Sequence, residues 1–269
     1  MAENDHGPVR CQIADGIAVL TLDNPPLNVV FRGLTEALGH YLDALKNDAT
    51  VRVVVVTGAG ERAFCAGSDI AEFQPLMQPG RIGPEKLALQ HVVFGQLADF
   101  PKPTIAAVNG LAFGGGLEIA VCCDFLVADE KARFALPEIK LGLFPGSGGP
   151  VRVARRIGSA RAKEMMMLGD PIDAATALAW GLANQVVPAG QALTASATLA
   201  GKLLQRPSLA MALCKQAIGY AFDFPEHDAI AKALALSERA FTSSEAHEGV
   251  RAFLGKQAPQ FPNALHDKD

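Results

Sequence analysis

Thr104-Ile105-Ala106-Ala107-Val108-Asn109-Gly110-Leu111-Ala112-Phe113-Gly114-Gly115-Gly116-Leu117-Glu118 is the stretch whose reading decides the fold. Its first five residues form a short apolar, β-prone run. Three consecutive glycines follow, and residues 117–123 continue as an apolar, helix-like segment. Glycines at a helix N-terminus let free backbone N–H groups come close to a ligand, and the helix dipole favours negative charge there. Glu118 is an acid in the most apolar part of the chain, with no Lys or Arg within five residues. A carboxylate so placed is either paired or carries a raised pKa and a task. The window 111–128 is apolar enough to resemble a membrane span. It holds Glu118, Asp124 and the glycine triplet, which a lipid-facing helix would carry only at a cost, so it reads as buried core.

Outward from this stretch the chain alternates strands and helices. Residues 9–14 and 17–22 are β-prone runs joined by Asp15-Gly16, a strong hairpin signal. Asn24-Pro25-Pro26 stops the second run. Leu34, Leu38, Tyr41, Leu42 and Leu45 predict a helix over 31–46. Residues 51–57, Val-Arg-Val-Val-Val-Val-Thr, form a nearly continuous β-branched run, expected in a parallel strand covered by helices on both faces. Leu89, Val92, Val93 and Leu97 mark another helix, closed by Pro101 and Pro103, and 125–128 is a further strand. Beyond Gly158 the chain reads as helices only, over 160–168, 173–180, 191–204, 208–220, 228–241 and 243–254. The last is opened by the capping-box pattern Thr242-Ser243-Ser244-Glu245. The expectation is an α/β unit over 1–190 and an all-helical region over 191–269 of the kind that binds partners.

Two more glycine-rich segments flank the first: Phe64-Cys65-Ala66-Gly67-Ser68-Asp69-Ile70, and Leu136-Pro137-Glu138 followed by Gly142-Leu143-Phe144-Pro145-Gly146-Ser147-Gly148-Gly149. They match no phosphate-binding P-loop, no dinucleotide fingerprint and no nucleophile elbow. None of the six His lies inside them, which removes most His-based acid/base schemes. Backbone amides and carboxylates remain. A free amide in the 66–69 turn converging with one at the triple glycine makes an oxyanion hole. Glu118 and Glu138, each beside a glycine loop, form a candidate acid/base pair able to hold and split a water. Triple glycine also serves plain tight packing, and Glu138 is equally readable as a loop acid that is solvated or paired with Lys140.

Composition narrows the class. The 269 residues carry 24 Lys and Arg against 28 Asp and Glu, a net charge of −4, without the basic stripe of a nucleic-acid binder. Hydrophobic residues reach 49% against 19% charged, which argues for a folded core and hints at further surface buried in an oligomer. The five cysteines are odd in number and lack C-x-x-C spacing, pointing to a reducing compartment, with neither a disulfide framework nor a zinc site. Residues 1–10 are polar, without the apolar run of a secretory signal. The expected setting is the cytoplasm, with no membrane and no nucleic-acid partner.

Together the three segments resemble the crotonase superfamily, the enoyl-CoA hydratases and isomerases, over about residues 13–261. Ala63 to Ile70 is similar to its A-F-[SCA]-A-G-x-D-[LI] signature, Asn109 to Glu118 to N-G-x-A-x-G-G-G-x-E, and Pro137 to Gly149 to P-E-x-x-L-G-x-x-P-G-x-G-G. The resemblance implies a spiral of ββα turns with a helical C-terminal trimerisation region, assembled as a homotrimer or a dimer of trimers. It implies an acyl-CoA thioester substrate and no separate cofactor or metal. By the same resemblance the N–H groups of Ser68 and Gly115 would hold the thioester oxygen. Glu118 would activate the water that attacks the β-carbon, Glu138 would deliver a proton to the α-carbon, and the Gly146 amide would contact that water. Ala66 would lie by the adenine, Asp69 and Ile70 along the thioester channel, and Lys256 near the CoA phosphates. Retention of both glutamates favours hydration of a 2-enoyl-CoA over double-bond isomerisation, thioester hydrolysis or a binding protein without activity. Departures are Ser68 for the commoner Ala, Val29-Val30 after Asn28, Pro150 and Val151 for Thr and Gln, and bulky Phe113 and Phe144 beside the proposed site.

Overall fold

The computed structural model describes residues 3–263 and 265. Met1, Ala2, Ala264 and residues 266–269, which the two expected segments include, lie outside the described residues. The hairpin forms as expected from β2 (Val9–Ala14) and β3 (Ile17–Leu22), with Asp15 and Gly16 at φ 50 and 81 in the turn. A strand the polar N-terminus gave no sign of, β1 (Glu3–His6), pairs antiparallel with β2. Helix α1 (Arg32–Asn47) leads to β4 (Val53–Gly58).

From β4 onward the chain repeats one motif. A strand enters a large sheet, a shorter strand enters a small sheet, and a helix returns. The turns are β4 with β5 (Ala63–Cys65) and α2 (Ala88–Ala98), then β6 (Thr104–Val108) with β7 (Leu111–Phe113) and α3 (Gly115–Ala120). The third is β8 (Phe125–Asp129) with β9 (Arg133–Ala135) and α4 (Gly149–Leu168). After α4 come β10 (Ile172–Asp173), α5 (Ala174–Ala179) and β11 (Gln185–Val187). The large sheet has the order β1-β2-β3-β4-β6-β8-β11, parallel from β3 on, and the small sheet β10-β9-β7-β5. This is the ββα spiral.

The β-branched run of β4 is buried along its whole length, because its alternate residues serve two layers. Val54 and Val56 pack with Leu38 and Leu97 of α1 and α2. Val53 and Val55 pack with Ile105, Ala107 and Ala200, the last on α6 (Ala192–Leu204).

Three expectations are corrected. Beyond Gly158 the chain is not helical only, since β10 and β11 lie there. At two and three residues they are too short to show a period. Helix α4 starts at Gly149, and Gly158 (φ 78, ψ 160) is a break within it, not its boundary. Pro150 stands in the first turn of α4, where a backbone N–H has no intrahelical acceptor, so its missing donor costs no helix bond. Finally, the N-cap of α9 (Ser244–Leu254) is Ser243, whose Oγ accepts from Ala246 N, and the Thr242–Glu245 capping box is not formed.

Glu245 is instead 1% exposed and caps another helix, α7 (Ser208–Asp223), accepting from Ser208 N at 2.7 Å, Ser208 Oγ at 2.7 Å and Leu209 N at 3.0 Å. Glu245→Ala leaves these buried donors unmet and is expected to cost about 2 kcal/mol. At this chain length that is a drop of about 5 °C in a thermal melt. Helix α8 (Glu226–Phe241) completes the chain's helical end, where Phe241, Phe253 and Leu254 stand at least three-quarters exposed.

Candidate active site

Two loops meet because glycine lets their backbones touch. Val30 forms a parallel bridge with Ser68 through Val30 N to Gly67 O at 2.7 Å and Asp69 N to Val30 O at 2.8 Å. Those bonds use the residues on either side of Ser68, so the Ser68 N–H points to the opposite side of the strand. On that side lies the start of α3. Gly114 precedes the helix at φ 49, ψ −125, a conformation open to glycine. The Gly115 N–H falls in the first helical turn, where no intrahelical acceptor exists. A Cβ placed on Gly115 would lie 3.7 Å from Ser68 N and 3.2 Å from Ser68 Oγ. The two amides and the Ser68 hydroxyl therefore border one gap, with Val30 Cγ2 forming a wall 3.5 Å from the same point.

Glu118 sits on the inner face of α3 and is 3% exposed. Its Oε1 accepts from Ser147 N at 2.7 Å and Gly149 N at 2.8 Å, so its partners are amides and not a cation. Burial pushes its pKa up, against the lowering effect of those two bonds and of the Arg152 and His91 charges. Glu138 lies on the turn Pro137–Leu141. Its Oε1 would lie 3.0 Å from a Cβ at Gly114, and its Oε2 is buried with no partner among the described residues. Burial raises its pKa to about 7, with the Glu118 charge adding to the rise against its own backbone N–H. The Lys140 pairing that the sequence left open does not occur, because Lys140 Nζ binds Asp170 Oδ1 at 2.6 Å.

Of the remaining residues, Asp69 caps the turn Ile70–Glu72 by accepting from Ala71 N at 2.9 Å, and Ile70 is exposed beside it. Ala66 donates its N–H to Leu27 O at 3.0 Å. Gly146 is held by its carbonyl, 2.8 Å from His91 Nε2. Phe144 is 72% exposed and turned outward. Lys256 stands in the exposed turn after α9 at φ 52, and among the described residues no hydrogen bond or ion pair of its side chain ties it to these loops. Among the described residues no group of His, Cys, Asp and Glu is arranged to hold a metal ion, and no helix is long and apolar enough to cross a membrane.

Sequence reasoning missed Gln90, His91, Ser147 and Arg152, which brace the 145–149 loop. Gln90 had a signal. It falls on the buried face of α2 with Val93, Phe94 and Leu97, a polar residue at a core position, whereas Val92, counted toward that face, is 61% exposed.

A family model described as enoyl-CoA hydratase/isomerase matches residues 12–264. A probable mitochondrial enoyl-CoA hydratase of Dictyostelium discoideum is 35% identical over 92% of this chain and 88% of its own length. A crotonyl-CoA hydratase of Syntrophomonas wolfei is 35% identical over 91% of this chain and 94% of its own. The crystal structure of an enoyl-CoA hydratase from Bacillus anthracis superposes with a TM-score of 0.89 at 31% identity, covering 95% and 99% of the two chains.

Proposed function

The chain belongs to the enoyl-CoA hydratase/isomerase family, and from that premise we propose that it is an enoyl-CoA hydratase, adding water reversibly across the double bond of a 2-enoyl-CoA thioester. The observation that carries this reading is the gathering of two carboxylates, Glu118 on α3 and Glu138 against Gly114, beside a gap bordered by two backbone amides.

The Ser68 and Gly115 N–H groups receive the thioester oxygen. As water attacks the β-carbon, negative charge moves through the α-carbon onto that oxygen, and preorganised donors in a dry site stabilise it. Glu118 accepts the proton that the attacking water loses, and the Gly146 segment positions that water. Glu138 gives its proton to the α-carbon. One C–O and one C–H bond form as the C=C π bond and one O–H bond of the water break, and the cycle closes when a proton returns from Glu118 to Glu138 through solvent. The electrostatics support this division. Burial and the Glu118 charge together raise the Glu138 pKa to about 7. Glu118 Oε1 already accepts two N–H bonds that favour its ionised form, while Glu138 Oε2 has no donor, so the proton rests on Glu138.

The substrate brings its own coenzyme A, and no separate cofactor or metal takes part. Ala66, Asp69 and Ile70 line the way in. Lys256 meets the CoA phosphates, contributed across a subunit contact. Residues 1–190 form the catalytic unit and 191–269 the assembly region. Exposed Ile230, Leu234, Phe241, Phe253 and Leu254 on α8 and α9 support a homotrimer or a dimer of trimers. Five cysteines without a disulfide support a cytoplasmic setting.

A panel of saturated, 2-enoyl and 3-enoyl CoA thioesters tests the reading. The expected result is loss of the conjugated thioester absorbance with 2-enoyl substrates and no release of free thiol. Turnover confined to 3-enoyl thioesters would make the chain an isomerase, and thiol release a hydrolase. Light scattering on the same preparation is expected to give three or six copies of the chain.

A further inference from the structure

Glu118 is held by a loop that is itself held by a helix distant in sequence. Both N–H bonds to Glu118 fall on Oε1, from Ser147 at 2.7 Å and Gly149 at 2.8 Å, which leaves Oε2 for the water. The Ser147 peptide is fixed from two further directions. Its Oγ donates to Gln90 Oε1 at 2.7 Å in a buried contact spanning 57 residues. Its carbonyl accepts from Arg152 Nη1 at 3.0 Å. The neighbouring His91 grips the adjacent Gly146 carbonyl. Helix α2 thus clamps the loop at two consecutive residues.

Gln90 is costly where it stands. It is 2% exposed, and its Nε2 is buried with no partner among the described residues. Turning the amide over exchanges its ends and leaves one unpaired just the same. A buried polar atom without a partner destabilises a fold, and an apolar side chain of equal length would pack against Val93, Phe94 and Leu97 without that cost. Such a residue, two hydrogen bonds from an acid of the site, fits the pattern of stability given up for function.

We propose that Gln90 is a positioning residue for hydration: through the Ser147 hydroxyl it aims the Ser147 N–H at Glu118 Oε1 and so presents Oε2 to the water. This rests on the reading of Glu118 as the group that takes the water's proton. The groups facing Glu118 are Glu138 on its turn, Arg152 on α4, His91 on α2 and Cys122 following α3. All four are kept when Gln90 is replaced, and of the direct bonds to Glu118 only that of the Ser147 amide is tied to Gln90, so a moved titration reports that amide. Misalignment of that amide weakens its support of the ionised carboxylate, and Glu118 then keeps its proton to higher pH. The acid limb of kcat, which needs Glu118 ionised, moves up.

The test uses Gln90→Met, which keeps length and removes the acceptor, and Ser147→Ala, which keeps the N–H and removes the hydroxyl. Each is expected to lower kcat for 2-enoyl-CoA hydration about tenfold, the scale of one hydrogen bond. KM should stay within about twofold, and the acid limb should rise by about half a pH unit. The double variant should be no worse than either single one, because both break the same contact. Gln90→Met should melt at or above the wild-type temperature, which a purely structural role would not give. An acid limb unmoved in either folded variant, or additive losses in the double variant, overturns the proposal. Should the wild type fail to hydrate 2-enoyl thioesters, or Glu118→Gln keep full activity, the reading beneath it fails instead.

Discussion

Glu138→Gln is expected to lower kcat for 2-enoyl-CoA hydration by about a thousandfold with KM little changed, since a positioned general acid contributes roughly 10²–10⁴-fold. The amide fills the same space at the turn Pro137–Leu141 but has no proton to deliver to the α-carbon. The wild-type pH dependence carries the same assignment. In the proposed acid role Glu138 acts in its protonated form, and burial raises its pKa to about 7, so kcat/KM for hydration should fall as pH rises through about 7. That limb should vanish from the residual activity of the variant.

Stability should move the opposite way. Because the folded-state pKa lies above the ordinary carboxyl value of 4.5, folding favours the neutral carboxyl. The stabilising protonation is fully present below about 4.5 and is lost as pH rises through about 7. Removing the ionisable group should therefore raise the melting temperature relative to wild type at pH 8 and leave it unchanged at pH 4. A shift of this size, discounted for the partial exposure of the side chain, is about 2 kcal/mol, or roughly 5 °C. Equal activity in variant and wild type, or equal melting differences at both pH values, would remove Glu138 from the acid role.

The residues that were legible in the sequence are those whose signal is local. The Asp15-Gly16 turn, the β-branched run of β4 and the glycine triplet before α3 each state their conformation within a few positions. The three glycine segments pointed to one site because each carries backbone features that only glycine supplies. Long-range partners had no such signal. Glu245 read as part of its own helix's capping box, yet it reaches back 37 residues to Ser208. Gln90 and Ser147, 57 residues apart, are joined only by the spiral that stacks α2 beside the 145–149 loop. The strands β10 and β11 escaped notice for a different reason, since their pairing is supplied by a sheet already built and needs only two or three residues. Ser68 falls between these cases. Its type was plain, but that its N–H points away from Val30 and toward Gly115 follows from the bridge geometry alone.

Two adjacent glycines should separate chemistry from folding. At Gly115 an added methyl group would project into the gap between the two amides, 3.2 Å from Ser68 Oγ and 3.7 Å from Ser68 N, with a movable hydroxyl as its tightest contact. Gly115→Ala should therefore fold, melt within a few degrees of wild type, and lose about 10²–10³ in kcat as the oxygen is pushed off its donors. At Gly116 the same methyl group would run into the Cys65 carbonyl oxygen and lie 2.7 Å from its carbon. That contact is backbone against backbone, and relieving it means parting α3 from β5. Gly116→Ala should lose activity together with cooperative melting, read by circular dichroism. The distinction matters because triple glycine has both a packing reading and a catalytic one, and the close contacts differ between the two residues, a side-chain hydroxyl at Gly115 and backbone at Gly116. If Gly115→Ala kept wild-type kcat on a 2-enoyl-CoA thioester, the gap beside Ser68 would not be where the thioester oxygen sits. The two glutamates would then need a different reacting centre between them.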